Sequence, residues 1–126
     1  MKIWINNLPE YEDKIREIAK KVIEGEGLKG ELSITFIDDD QMIELNEKYT
    51  TRRGTTDVLS FPFDISELLG DIYISVPQAK RQKGGSLLSE LRLLTVHGIL
   101  HLSEYDDRTE EDRKEMRKKE QEYLSE

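Results

Sequence analysis

Apolar positions along the chain recur with two periods, 2 and about 3.6 residues, and the switches between them predict the order of elements. Ile3 and Ile5 flank Trp4, which predicts a short strand over Lys2–Asn6. Pro9 suits the first turn of a helix. Tyr11, Ile15, Ile18, Val22 and Ile23 carry that helix to about Glu24, and Gly25 and Gly27 stop it. Leu32, Ile34 and Phe36 alternate with Ser33, Thr35 and Ile37, predicting a largely buried strand over Glu31–Asp38. Asp38, Asp39 and Asp40 supply a cap and first-turn acids for a helix over Gln41–Tyr49, with Met42, Ile43 and Leu45 facing the core.

A polar loop, Thr50–Thr56, turns around Gly54. Val58–Phe63 and Gly70–Val76 read as two strands of a hairpin joined by Asp64–Leu69, and Pro62 marks a sheet edge or the end of pairing. Pro77–Lys83 forms a short helix closed by Gly84 and Gly85. Ser86 caps a long apolar helix over Leu87–Leu102, and a polar turn occupies Ser103–Arg108. Thr109 and Asp112 open a last helix, Glu110–Leu124. That helix is charged nearly all round, with Met116 and Tyr123 as its few apolar contacts, and is expected on the surface. The order predicts an α+β fold: a single domain over residues 1–126, with a small mixed β-sheet packed with helices and a central helix, the one that carries both histidines of the chain.

Composition narrows the function. The chain has 126 residues, enough for one core. Absence of cysteine excludes disulfides, thiolate metal sites and a cysteine nucleophile. MKIWINNLPE has no sustained apolar run of the signal-peptide kind, and no run reaches the ~18 residues that span a bilayer, so a cytoplasmic location without membrane partners is expected. A net charge of −8 argues against general nucleic-acid binding. Between Lys48 and Arg92, however, Lys48, Arg52, Arg53, Lys80, Arg81, Lys83 and Arg92 face only Asp57, Asp64, Glu67, Asp71 and Glu90, which allows a local basic patch.

The candidate chemistry lies in VHGILHLSEYDD, Val96–Asp107, which holds both histidines of the chain. His97 and His101 are four residues apart and share one helical face, the spacing at which two imidazoles grip one ion. The plain alternative is a pair of hydrogen-bonded core histidines. Among Leu93, Leu94, Val96, Ile99, Leu100 and Leu102, such a pair needs partners, and a metal supplies them. The third ligand is Asp107 if the helix ends near Leu102 and the chain turns back, or Glu104 if the helix continues. Two imidazoles and a carboxylate suit zinc, with Mn²⁺, Co²⁺, Ni²⁺ or Fe²⁺ tolerated. Gly98 occupies the place of the base in the H-E-x-x-H peptidase motif, which disfavours peptide hydrolysis and leaves space beside the ion for a bulky substrate.

These residues resemble a known family. HGILHLSEYDD is similar to the H-G-x-L-H-L-x-G-Y-D-H signature of the YbeY family of metal-dependent endoribonucleases. Leu45, Asn46 and Tyr49 resemble its L-N-x-x-Y-R segment, Thr56–Pro62 its T-D-V-L-S-F-P, and Leu69–Ser75 its L-G-D-I-x-I-S. Glu90 and Leu91 before the signature, and Met116 and Glu120 after it, also fit. The resemblance implies a small α+β domain with one divalent ion, usually zinc, held by three ligands: here His97, His101 and Asp107. It implies cleavage of single-stranded RNA in ribosomal RNA maturation and ribosome quality control, with ribosomal RNA and the small ribosomal subunit as partners. Asp107 stands where the family has its third histidine, Glu104 where it has glycine, and Thr50 where it has a phosphate-binding arginine. Arg52 or Arg53, from the same loop, is the candidate to replace that arginine as a catalytic residue. A second reading is a ribosome- or RNA-associated binding protein whose metal is structural.

Overall fold

The computed structural model describes residues 2–65 and 67–125. Its centre is a four-stranded mixed sheet of order β1-β2-β4-β3, formed by β1 (Ile3–Asn6), β2 (Glu31–Ile37), β3 (Val58–Ile65) and β4 (Leu68–Ser75). β1 and β4 run parallel to β2, and β3 closes the sheet antiparallel to β4. The parallel pairs require crossovers, which α1 (Glu12–Gly25) and α2 (Asp39–Tyr49) supply. Three further helices among the described residues, α3 (Val76–Gln82), α4 (Leu87–Leu102) and α5 (Glu110–Leu124), complete the α+β architecture.

Alternation in the strands decides the core. Leu32, Ile34 and Phe36 of β2 and Ile72 and Ile74 of β4 are buried in one cluster with Ile15, Ile18, Val22, Leu94, Ile99 and Leu100 from α1 and α4. Ile37, Met42 and Leu59 form a smaller cluster with Leu45, Phe61 and Tyr73. α4 is apolar nearly all round because it is enclosed: it touches β3, β4, α1, α3 and α5.

The helix starts follow the expected caps. Asp38 forms a capping box with Gln41, and the Ser86 hydroxyl accepts from the Ser89 amide at 3.1 Å. Asp39 leaves the cap and pairs with Arg81 through two contacts of 2.7 Å, so part of the expected basic segment is internally neutralised. The hairpin differs from the sequence expectation. Its strands run on to Ile65 and from Leu68, so the connection is far shorter than Asp64–Leu69; Ser66, within it, lies outside the described residues. β3 is an edge strand, which accommodates Pro62. Most of α5 is exposed and Met116 is buried, as expected; the departure is Glu120, a charged residue that is buried beside it.

α4 ends at Leu102 with the two hydrogen bonds of a Schellman turn, Tyr105 N–H to the Leu100 carbonyl (3.1 Å) and Glu104 N–H to the His101 carbonyl (3.3 Å). That turn places Glu104 at φ 76°, a left-handed conformation that costs a residue with a Cβ about 1–2 kcal/mol. Glycine at this position also loses unfolded-chain entropy, which offsets part of the gain. Glu104→Gly is therefore expected to raise the unfolding free energy by about 0.5–1 kcal/mol, read as a higher urea midpoint at unchanged slope. A midpoint at or below wild type would mean that the Glu104 side chain offsets its own backbone strain.

Candidate metal centre

The helical spacing of His97 and His101 turns both rings into one cavity of about 360 Å³, lined also by Thr50, Arg52, Thr56, Asp57, Val58, Leu59, Ser60 and Asp107. The orientation of α4 is set by Gly98. A Cβ there would lie 3.0 Å from Ile72 Cγ2 and 3.2 Å from Ser60 Oγ, so the helix backbone rests directly on β4 and β3. The Ser60 hydroxyl donates to the Gly98 carbonyl at 2.9 Å. This overturns the expectation that Gly98 leaves room for substrate: the missing side chain is filled by the sheet.

The Nε2 atoms of His97 and His101 are 3.0 Å apart, and His101 Nε2 lies 3.7 Å from Asp107 Oδ2. One ligand atom from each of the three residues falls within 4.8 Å of the others, the one such group among the described residues. Two nitrogens bound at about 2.0–2.1 Å in tetrahedral geometry are separated by roughly 3.3 Å, close to the spacing found here. The donor set of two imidazoles and a carboxylate therefore fits a divalent ion. The side chains remain 25%, 28% and 43% exposed for His97, His101 and Asp107, so one side of the group stays open to solvent.

The return of Asp107 depends on the turn after α4. Asp106 holds that turn by accepting from the Asp107 amide at 2.7 Å and pairing with Arg108 at 3.0 Å. Arg113 donates to the Asp107 carbonyl at 3.1 Å. Glu104, the other candidate ligand, is exposed and lines a separate acidic hollow with Glu26, Asp106, Asp112 and Glu115.

His97 and His101 have different electrostatic surroundings. Burial opposes the charged form of His97, but the Glu120 hydrogen bond and the carboxylates of Glu120, Asp57 and Asp107 outweigh it and hold its pKa above the ordinary histidine value. Burial and the neighbouring His97 depress His101 despite Asp107, Asp106 and Glu120. In the metal-free chain the proton of the pair therefore resides on His97, and His101 is the neutral acceptor.

The opposite wall comes from the loop before β3. Buried Asn46 donates to the Gly54 carbonyl at 2.9 Å, the Gly54 amide donates to Glu47 at 2.9 Å, and the Arg52 amide donates to Thr50 Oγ1 at 3.0 Å. These bonds hold the loop so that Arg52 lines the cavity; Arg53 is exposed and is not among its lining residues. Asp57, to which the sequence reading assigned no role, lines the same cavity. It accepts from the Val58 amide at 2.8 Å and from the Gln82 side chain at 2.9 Å. Glu120 was likewise without a role, although Met116, Glu120 and Tyr123 lie at i, i+4 and i+7, a spacing that marks one helical face.

Comparison with known proteins identifies the family. A family model described as Endoribonuclease YbeY matches residues 2–126. Proteins named Endoribonuclease YbeY from Bacillus cytotoxicus and Bacillus thuringiensis are 40% and 39% identical over 133 residues, covering 91% of this chain and 85% of theirs. The solution structure of TM1509 from Thermotoga maritima superposes with a TM-score of 0.69 at 25% identity, covering 98% of this chain and 87% of that one. A match of this extent, reached independently through sequence and through fold, means that the chain belongs to the endoribonuclease YbeY family.

Proposed function

We propose that the protein is a metal-dependent endoribonuclease of single-stranded RNA, acting in ribosomal RNA maturation and ribosome quality control. The observation that carries this reading is the convergence of His97, His101 and Asp107 in an open cavity whose far wall holds Arg52. The three ligands hold one zinc ion. When bound, such an ion supplies Lewis acidity towards a phosphoryl oxygen and activates water near neutral pH.

The chain's own residues account for the rest. Arg52 neutralises the scissile phosphate and steadies the charge that grows on it, a role suited to the guanidinium fork. Arg53, exposed beside it, meets neighbouring phosphates along the strand. The cavity is open along one side, which admits an extended strand with its backbone splayed from the bases. Ribosomal RNA, in the setting of the small ribosomal subunit, is the substrate. No helix among the described residues is long and apolar enough to cross a membrane, in keeping with a cytoplasmic site of action.

Elemental analysis of the purified protein is expected to find one zinc per chain. Zinc is lost in His97→Ala, His101→Ala and Asp107→Ala and retained in Glu104→Gln. Cleavage of a single-stranded RNA should follow the metal, vanishing with chelation and returning with added zinc. Arg52→Ala should keep the metal and lower cleavage by about 10²-fold, the scale for removal of one group that stabilises transition-state charge. Full metal with no cleavage in the wild type would favour an RNA-binding protein with a structural ion.

Metal affinity should also depend on pH in a set direction. Below the raised pKa of His97 the ion must displace a proton, so affinity rises with pH and levels off only above that pKa, itself above the ordinary histidine value of about 6.5. Zinc titrations from pH 5.5 to about 8 are the measurement; an affinity already flat below the ordinary histidine pKa of about 6.5 contradicts the assignment.

A further inference from the structure

One buried charge has no task in the account above. Glu120 of α5 is 8% exposed, and among the described residues the hydrogen bond of its side chain is the one between Oε2 and His97 Nδ1, at 2.6 Å. We propose that Glu120 is a positioning residue for the metal centre: by accepting the Nδ1 proton of His97 it fixes the tautomer of that ring and aims Nε2 at the point shared with His101 and Asp107. This inference rests on the metal-site reading given under Proposed function.

A carboxylate can only accept at this contact, so the imidazole proton must sit on Nδ1. In the neutral ring the lone pair is then on Nε2, the atom that lies 3.0 Å from His101 Nε2. Without such a partner the ring is free to take the other tautomer or to turn, and either change removes the donor from the site. Hydrogen-bonded outer partners of this kind both orient a ligating imidazole and raise its basicity.

The place of Glu120 in the sequence supports the same conclusion. Met116 lies one turn before it and is 2% exposed, so the face of α5 that carries Glu120 is its buried one. An apolar residue at position 120 would pack there without the cost of desolvating a carboxylate. What a carboxylate adds at that point is an acceptor for His97. The helix that delivers it is anchored at its far end, where the Tyr123 hydroxyl donates to Glu26 and Lys21 Nζ donates to the Tyr123 carbonyl at 2.9 Å.

The test compares zinc dissociation constants of the full-length wild type, Glu120→Gln, Glu120→Ala and Tyr123→Phe, measured by chelator competition at one pH. Far-UV circular dichroism and urea unfolding of the metal-free proteins check the fold. Tyr123→Phe loosens the same helix without touching His97. Glu120→Gln is expected to bind zinc about 10-fold more weakly and Glu120→Ala up to about 100-fold more weakly, with Tyr123→Phe within twofold of wild type. Long-range ¹H–¹⁵N spectra of the zinc-loaded wild type should show His97 protonated at Nδ1, and that signature should be lost in Glu120→Ala. Zinc affinities within twofold of wild type in both Glu120 variants, or an equal loss in Tyr123→Phe, overturn the proposal. A wild-type chain that takes up no zinc overturns the metal-site reading, and this one with it.

Discussion

The geometry of the site depends on the contact between the backbone of α4 and the sheet at Gly98. Because no side chain intervenes, the helix lies directly on Ile72 and Ser60. The Ser60 hydroxyl bonds to the Gly98 carbonyl and fixes the rotation of the helix about its axis. With that rotation set, the neighbouring His97 must point along the β3 side of the helix, and His101 one turn on must share its direction. A larger residue at 98 would push the helix outward or turn it, and a shift of an ångström is enough to disturb a group whose donor atoms lie 3.0 and 3.7 Å apart.

Around this contact, three weaker local arrangements bring two more groups to the same cavity and one behind it. The left-handed turn at Glu104 reverses the chain and returns Asp107 to His101. The Asn46 and Thr50 hydrogen bonds shape the loop that carries Arg52. The docking of α5 supplies Glu120 behind His97. None of these segments is held by a large apolar surface of its own. Each depends on the core formed by α1, α4 and the inner face of the sheet, where Ile15, Val22, Leu32, Ile34, Ile72, Ile74, Leu91, Ile99 and Leu100 are essentially excluded from water. Burying a side chain of this size stabilises the fold by about 1.5–3 kcal/mol, far more than a single polar contact at the rim, so the site is arranged by the core rather than the reverse.

Charge acts on the site in an unequal way. The protein is acidic overall, and carboxylates of Asp57, Asp107 and Glu120 surround the histidines. They hold the proton on His97 in the metal-free chain, and the same negative charge favours a divalent cation in its place. Arg52 is the basic side chain on the wall of the cavity that Asp57 and Asp107 also line.

Much of the protein was determined by its sequence alone, because the signals are local. The period-2 runs within Glu31–Asp38 and Gly70–Val76, the caps at Asp38 and Ser86, the apolar character of Leu87–Leu102 and the shared face of His97 and His101 depend on residues within a few positions of one another. The tertiary structure decided what depends on segments far apart. It gave Gly98 a packing role against Ser60, 38 positions away, and gave Glu120 a partner in His97, 23 positions away. It extended the hairpin strands to Ile65 and from Leu68, because the register shifts after Pro62 and pairing resumes between Ile65 and Leu68. It also distinguished Arg52 from Arg53, adjacent in sequence and alike in chemistry, because the path of the loop puts only Arg52 along the cavity wall. Periodicity reports which face of an element is apolar, but the identity of the group that meets that face is settled only when the elements pack.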